Sequence, residues 1–387
     1  MNIPKLRFKD NNGNDYPQWE KKLIKDILKI YHGKDYKNEP NEKKLYPVLG
    51  TGGIITYIDK FLCDWECVLI GRKGTINKPQ YMKTPFWSVD TLFYSKPKLK
   101  QNPKFQYYLF QNINWKIYDE STGVPSLSAS TIEHINRFIP TYAEQEKIAS
   151  FFSTIDKKIE NLANTITSLE NQKKGLLQQI LSQKLRFKDE NGNNYPIWEK
   201  KKLNEISDVS SGKRIPKGMQ FPSIGKTFYI TVSDMSENFV SPLNINTISD
   251  DIENIIKKYK VFTGDIIISV AGTLGKINLI TPLFNNANLT ENCDRISNFK
   301  KVYNLYIFYF LKSNIIQETI KKSSTLSSQP KLALERIRNF NILLPCLEEQ
   351  TKIADFLSAF DRKLDNQKAQ LEHWQQIKKG LLQQMFV

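Results

Sequence analysis

The sequence predicts an α+β protein in which two mixed α/β domains are separated by a long antiparallel two-helix coiled coil, the whole forming an internal pseudo-twofold repeat. Three observations carry this. A segment near the start recurs in mid-chain, a second segment recurs at a different displacement, and both copies of the second hold an apolar heptad. At 387 residues the chain also exceeds what one hydrophobic core serves, which is roughly 250 to 300 residues.

The first repeat runs from Leu6 to Ile27 (LRFKDNNGNDYPQWEKKLIKDI) and returns from Leu185 to Ile206 (LRFKDENGNNYPIWEKKKLNEI), displaced by 179 with 15 of 22 positions identical. The same shift superposes Gly33-Lys34 on Gly212-Lys213. The second repeat, displaced by 205 without a gap, runs from Pro140 to Ile180 and from Pro345 to Met385. Its anchors are Glu144-Gln145 with Glu349-Gln350 and the tails Lys173 to Gln179 with Lys378 to Gln384. Between these matched parts the halves diverge and the second is 26 residues longer, with only a faint echo of Ile70 to Lys78 in Ile268 to Lys276. A shared frame carrying different inserts is expected, with domains at 1–142 and 185–346 and spacer helices at 143–184 and 347–387.

The helices are read from their apolar spacing. Ile148, Phe152, Ile155, Ile159, Leu162, Ile166, Leu169, Leu176 and Ile180 alternate steps of four and three, broken only at Lys173. The second copy gives Ile353, Leu357, Phe360, Leu364, Leu371, Trp374, Leu381 and Met385, broken at Gln367 and Lys378. Lys173 and Lys378 fill equivalent slots. A stripe of ten residues would be a core-facing helix, but 32 residues span about 48 Å, longer than a small domain needs. The two seams are therefore expected to pair, antiparallel, as a ruler between the domains. Each buried seam side chain stabilises the pair by about 1.5 to 3 kcal/mol before entropy is subtracted. Gly175 and Gly380 mark either a close backbone approach or a tolerated kink. Because Leu185 follows directly on the first helix, symmetry places Leu6 to Phe8 beside the end of the second, near Met385, closing the halves into a ring. Within the domains, Glu66 to Ile70 and Asp265 to Val270 read as strands, and Tyr107 to Phe110 and Leu305 to Leu311 as helices.

A formal charge of +16 and pI near 9.4 predict a polyanionic partner, nucleic acid or an anionic membrane. Residues 143–184 contribute +1 and residues 347–387 contribute 0, so the remaining +15 lies in the domains. Basic residues fall in glycine-rich or polar turns: Lys34 and Lys37; Arg72, Lys73 and Lys78; Lys213, Arg214 and Lys217; Lys276 and Arg295. Such loops bring cations to phosphates or Arg to guanine edges. Singly, each is better explained as solvated surface; as a set they favour DNA.

Other chemistries find little support. No run reaches the roughly 18 apolar residues of a membrane span and the start lacks an apolar signal stretch, so a cytoplasmic protein is expected. Cys63, Cys67, Cys293 and Cys346 offer no disulfide framework, and with His32, His134 and His373 scattered no metal site is expected. Gly71 to Lys78 lacks the adjacent Gly-Lys of a Walker A loop, and Asn102-Pro-Lys-Phe105 lacks the second proline and aromatic of an adenine methyltransferase box, reading instead as a turn before a helix. No catalytic constellation emerges.

Pro17/Trp19 and Pro196/Trp198, the following Gly-Lys, the P-x-x-x-E-Q leading into each long helix and the KKGLLQ tail, in that order and twice over, resemble the DNA specificity (S) subunit of type I restriction-modification systems. The resemblance covers nearly the whole chain. It implies two target-recognition domains, each reading half of a bipartite asymmetric DNA site, and no catalysis in this chain. It also implies two methyltransferase (modification) subunits that bind S-adenosylmethionine and two restriction subunits that use ATP and Mg; this chain needs no cofactor. Ser121 to Leu127 fits the family's distal motif better than Ser324 to Pro330. A stand-alone repressor or architectural protein, and a methyltransferase or nuclease with unrecognised motifs, are the alternatives.

Overall fold

The computed structural model describes residues 4–324 and 331–386. The chain divides into two compact units, Met1–Thr165 with Gln367–Val387, and Ile166–Asn366. In the first unit β1 (Glu20–Leu23) pairs antiparallel with β9 (Asn136–Ile139), which ties the end of the first repeat to the chain just before the long helix. After α1 (Ile24–Ile27), β2 (Leu28–His32) forms the edge of a four-stranded antiparallel sheet ordered β2-β8-β5-β6, with β5 (Cys67–Gly71), β6 (Gln80–Met82) and β8 (Leu92–Pro97). Every residue of β5 is buried, as its unbroken apolar run requires of a central strand. A smaller sheet holds the hairpin of β3 (Tyr46–Gly50) and β4 (Gly53–Ile58), with β7 (Trp87–Ser88) parallel to β3. Then come α2 (Pro103–Asn112), α3 (Ala129–Glu133) and the long α4 (Tyr142–Leu181). Asn102 caps α2, its side chain accepting from Phe105 N–H at 2.9 Å, and Pro103 occupies the first turn, so the N-P-K-F segment is a helix start as expected.

The second unit repeats the topology. β10 (Glu199–Lys202) pairs with β19 (Asn341–Leu344), α5 (Leu203–Ile206) follows, and β11 (Asp208–Ser211), β18 (Cys293–Ser297), β15 (Ile266–Ser269) and β16 (Ile277–Leu279) form the larger sheet in that order. The smaller sheet runs β13 (Asn246–Ile248), β12 (Thr227–Ile230), β17 (Ala287–Leu289), β14 (Lys260–Val261), with β12 and β17 again parallel. Its helices are α6 (Asp250–Ile256), α7 (Asn304–Lys312), α8 (Asn314–Ser324), α9 (Leu334–Arg338) and the long α10 (Leu347–Met385). Within this topology α6, α8 and β14 have no first-unit counterpart, which is where part of the extra length is spent. The expected strands and helices at Glu66, Asp265, Tyr107 and Leu305 coincide with β5, β15, α2 and α7.

The repeated motifs turn out to be one buried joint made twice. Glu144, at the start of α4 and fully buried, accepts two bonds from Arg7 at 2.7 and 3.0 Å and one from the Trp19 indole at 3.1 Å. Glu349 does the same with Arg186 at 2.6 and 3.2 Å and Trp198 at 2.9 Å. The neighbouring glutamines close the loop before each helix: Gln145 donates to Pro140 O and accepts from Asn102 N–H, and Gln350 donates to Pro345 O and accepts from Tyr303 N–H. A buried carboxylate is tolerated because a guanidinium and an indole N–H replace its hydration.

Each unit contains the first half of one long helix and the last half of the other, running antiparallel. In the first unit Phe152 lies 6.2 Å from Phe386 and Asp156 2.7 Å from Lys378, so numbers rise on α4 as they fall on α10. Leu6 N–H donates to Gln384 O at 3.1 Å and Leu185 N–H to Gln179 O at 3.1 Å, as the repeat symmetry demanded. Along the seam Ile148, Phe152, Ile155, Leu162, Ile166, Leu169, Ile353, Leu357 and Leu364 are buried. Ile159, Leu176, Phe360, Leu371, Trp374 and Leu381 are half-buried. Toward each C-terminal end the seam positions Ile180 and Met385 stay buried and burial spreads one place beyond the seam, to Leu181 and Leu382, because a straight helix drifts against a strict heptad. Much of the seam also belongs to the unit cores: Ile148, Phe152, Leu382, Met385 and Phe386 pack in one, and Ile180, Leu181, Ile353 and Leu357 in the other.

The two lysine slots are answered by matching triads. Lys378 pairs with Asp156, which also accepts the Tyr108 hydroxyl at 2.7 Å. Lys173 pairs with Asp361, which accepts the Tyr309 hydroxyl at 2.6 Å. Gly175 and Gly380 have nothing within 4 Å of where a Cβ would stand, and both helices run through them, so the close-approach reading fails.

Candidate nucleic-acid interface

The basic turns are assembled by backbone bonds that the two units share. After β2 the chain turns at Gly33, where a Cβ would stand 2.0 Å from Val89 O, and Lys34 N–H then donates to Ser88 O at 2.8 Å. After β11 a Cβ on Gly212 would stand 2.1 Å from Thr290 O, and Lys213 N–H donates to Leu289 O at 2.8 Å. Only glycine lets the strand end press so closely on its neighbour. Beyond β5, Arg72 N–H donates to Thr91 O at 2.8 Å, and Leu127 N–H to Arg72 O at 2.9 Å. Beyond β15, Val270 N–H donates to Asn292 O at 2.8 Å, and Leu332 N–H to Val270 O at 2.9 Å. Lys73 bridges to Ser126 as Ala271 bridges to Lys331. In each unit three loops and a distal segment therefore converge.

The distal pairing revises the motif alignment. Leu127 corresponds to Leu332, displaced by 205, and Pro125 precedes its leucine as Pro330 precedes Leu332. Ser324 to Pro330 was therefore two residues out of register; of that stretch Thr325 to Pro330 lie outside the described residues.

Lys34, Lys37, Lys73 and Lys78 are exposed on the loops of the first unit, and Arg72 rests its guanidinium 3.3 Å from Asp90 O. Lys213 and Lys217 are exposed on the second, and Arg214 reaches Glu291 at 2.5 Å with three quarters of its own side chain still open to solvent. Two expected residues are committed to the fold instead. Lys276 donates to Met235 O at 3.1 Å and Val232 O at 3.5 Å. Arg295 lies on β18 rather than in a turn, paired with Asp265 at 2.6 Å and 5.1 Å from the centre of the Phe262 ring. Sequence reading missed Lys331, exposed and opposite Ala271; applying the 205 displacement to Ser126 would have found it. Beneath this loop Asp294 is buried beside Ser211, and burial pushes its carboxyl up to about 6, opposed by a hydrogen bond from Ser211 and by Lys331 and Arg338.

Among the described residues no three His, Cys, Asp or Glu side chains are grouped to hold a metal, and no helix is long and apolar enough to cross a membrane. Cys63 and Cys67 are buried thiols with sulfurs 3.8 Å apart.

The type I restriction modification DNA specificity domain matches twice, over residues 16–171 and 197–373. The chain is 25% identical to the type I restriction enzyme MjaVIII specificity subunit of Methanocaldococcus jannaschii, over 97% of this chain and 94% of that protein. It is 24% identical to the EcoBI specificity subunit of Escherichia coli, over 60% of this chain and 53% of the relative. Its fold is similar to the S subunit of a type I system from M. genitalium, with a TM-score of 0.64 at 18% identity over 100% and 99% of the two chains. A chain from a structure addressing complex assembly and conformational transition of a type I system gives 0.56 at 14% identity, over 95% and 97%. Fold, loops and matches together define a DNA-reading protein with two recognition modules and no catalytic role. The chain belongs to the type I restriction-modification DNA specificity family, as a specificity subunit.

Proposed function

We propose that each unit reads one half of a bipartite, asymmetric DNA site through its converging loops, with 1–142 and 185–346 as the readers. Lys34, Lys37, Arg72, Lys73 and Lys78 serve the first half-site, and Lys213, Arg214, Lys217 and Lys331 the second. The observation that carries this is the repeated backbone scaffold: the same bonds at Gly33-Lys34 and Gly212-Lys213 present different exposed cations in the two units. Phosphate contacts would supply most of the affinity and hold the register, leaving base edges to specify sequence.

The chain assembles with two modification subunits, which bring S-adenosylmethionine, and with two restriction subunits, which bring ATP and Mg. The purified chain alone transfers no methyl group from labelled S-adenosylmethionine to DNA. With a modification subunit, methylome sequencing shows a two-part motif; a single undivided motif, or transfer by the chain alone, overturns the reading. Replacing Lys73 and Lys78 by Ala lowers the slope of log affinity against log salt by about 1 for each phosphate no longer neutralised. The paired heptads are proposed to set the spacer, so deleting seven residues from both helices shortens the spacer and leaves the half-sites unchanged.

A further inference from the structure

In the first unit β3 and β4 are joined by only Thr51 and Gly52, and Ile54 and Ile55 beyond the turn are 56% and 53% exposed. Leu49 pairs with Ile54 and Val48 with Thr56, so Ile55 is the extra residue of a bulge that adds twist at the tip, and both isoleucines stand open to solvent there. The tip is also anchored to the loop that carries Lys73 and Lys78: Gln80 donates to Gly50 O at 2.8 Å, and a Cβ on Gly74 would stand 3.9 Å from the Thr51 hydroxyl. Gly52 and Gly53 have nothing within 4 Å of a Cβ position, which leaves that backbone open to close approach.

The second unit spends the same connection differently. Between β12 and β13 the chain from Thr231 to Ile245 folds back on its own module: Leu279 N–H donates to Asn238 O at 3.0 Å, Asn278 donates to Ser236 O at 3.0 Å, and Met235 and Val240 enter the core. That connection also holds Lys276, whereas Lys78, its counterpart in the echoed segment, is exposed. The hairpin tip is thus a device of the first unit within a scaffold both units share.

We propose that the β3–β4 tip of the first unit enters the major groove and reads bases of the first half-site. The Thr51 hydroxyl contacts a base edge, the methyls of Ile54 and Ile55 contact thymine methyl groups, and the lysines of the adjoining loop hold the flanking phosphates. A two-stranded ribbon fits that groove, apolar contact with the thymine C5-methyl is a recognised readout, and exposed isoleucines beside cations match a surface that presents methyls between phosphates. The inference rests on the DNA-reading function proposed above.

The test uses the full chain assembled with its modification subunit, comparing the wild type with Ile54→Ser/Ile55→Ser and with Thr51→Ala, which keeps the turn and both isoleucines. Methylation of a randomised duplex library is sequenced for each, and co-purification of the modification subunit is scored alongside. The expected result is a roughly 5- to 150-fold loss of discrimination at one or two base pairs of one half-site, with the other half-site and the spacer unchanged. Thr51→Ala alone carries the test if the double variant does not assemble. Unchanged half-sites in assembled variants overturn the inference and leave the function standing. Weakened co-purification of the modification subunit, with half-sites unchanged in the methylation that remains, also overturns it, making the edge of β4 a protein-docking strand. A wild-type complex without any two-part motif overturns the function itself.

Discussion

Replacing Lys378 by Met interrogates the polar slot of the helix seam. Lys378 and Asp156 lie 2.7 Å apart with side chains 16% and 28% exposed. At an effective dielectric near 20 their gross attraction is about 6 kcal/mol, most of it offset by the desolvation of both groups. Breaking a fully buried pair costs about 3 to 5 kcal/mol, so at this partial exposure Lys378→Met should cost about 1.5 to 3 kcal/mol, leaving Asp156 with only the Tyr108 hydroxyl. Adding Asp156→Leu and Tyr108→Phe removes the stranded groups and should return stability to within about 1 kcal/mol of wild type. The equivalent Lys173 and Asp361 are 14% and 10% exposed, so Lys173→Met should cost more than Lys378→Met. Urea unfolding of the full chain reads both. Five of the six tryptophans (Trp19, Trp65, Trp87, Trp115, Trp374) lie in the first unit, so fluorescence follows that unit while circular dichroism follows the whole. A Lys378→Met chain as stable as wild type, with the triple variant no better, would refute the role of this triad and with it the idea that the paired charges penalise a seam slipped by one heptad.

Other outcomes follow from the same structure. Gly175→Ala and Gly380→Ala should each raise stability by about 1 kcal/mol in urea midpoints, since nothing stands where the methyl would go; a loss would restore the close-approach reading. Arg186→Ala should cost about 2 to 4 kcal/mol, because Glu349 keeps its buried charge with only the Trp198 indole to answer it, whereas Arg186→Ala with Glu349→Gln should recover part of this. For Asp294, with its native pKa raised to about 6 and an unfolded value near 3.9, the native state keeps a proton that the unfolded state releases between about pH 4 and 6. Stability therefore falls as pH rises through that window and levels off above it. Asp294→Asn should remove this slope and add about 1 to 3 kcal/mol at pH 7, read from denaturant midpoints at pH 4.5 and 7.

The sequence disclosed the repeating parts far better than the joining ones. The heptads announced α4 and α10 because period is a local property, and the lysine slots stood out as breaks in it. The answering Asp156 and Asp361 did not, since each sits one residue off the seam and looks like ordinary helix surface. The parallel pairing of β3 with β7 joins Val48 to Trp87 across a span no local pattern encodes. Arg295 read as a turn residue, yet strand β18 aims it at Asp265, thirty positions earlier. The Trp19 and Glu144 motifs were legible as signatures, but their shared purpose appears only once Arg7 closes on them. The turn chemistry of Gly50-Thr-Gly-Gly53 between two apolar runs was a hairpin signal that went unread.

The division of the chain also sets an order of maturation during synthesis. Ile166–Asn366 is continuous in sequence, so everything its core requires has been translated by residue 366. The other core includes Leu382, Met385 and Phe386, and Leu6 has its partner only at Gln384. The half translated first thus has to wait, holding Trp19, Phe105 and Phe152 without their final cover, until the last turns of α10 emerge and close a loop of several hundred residues. The segment made first is finished last, and the interval is when this protein is most exposed to aggregation and most in need of a chaperone.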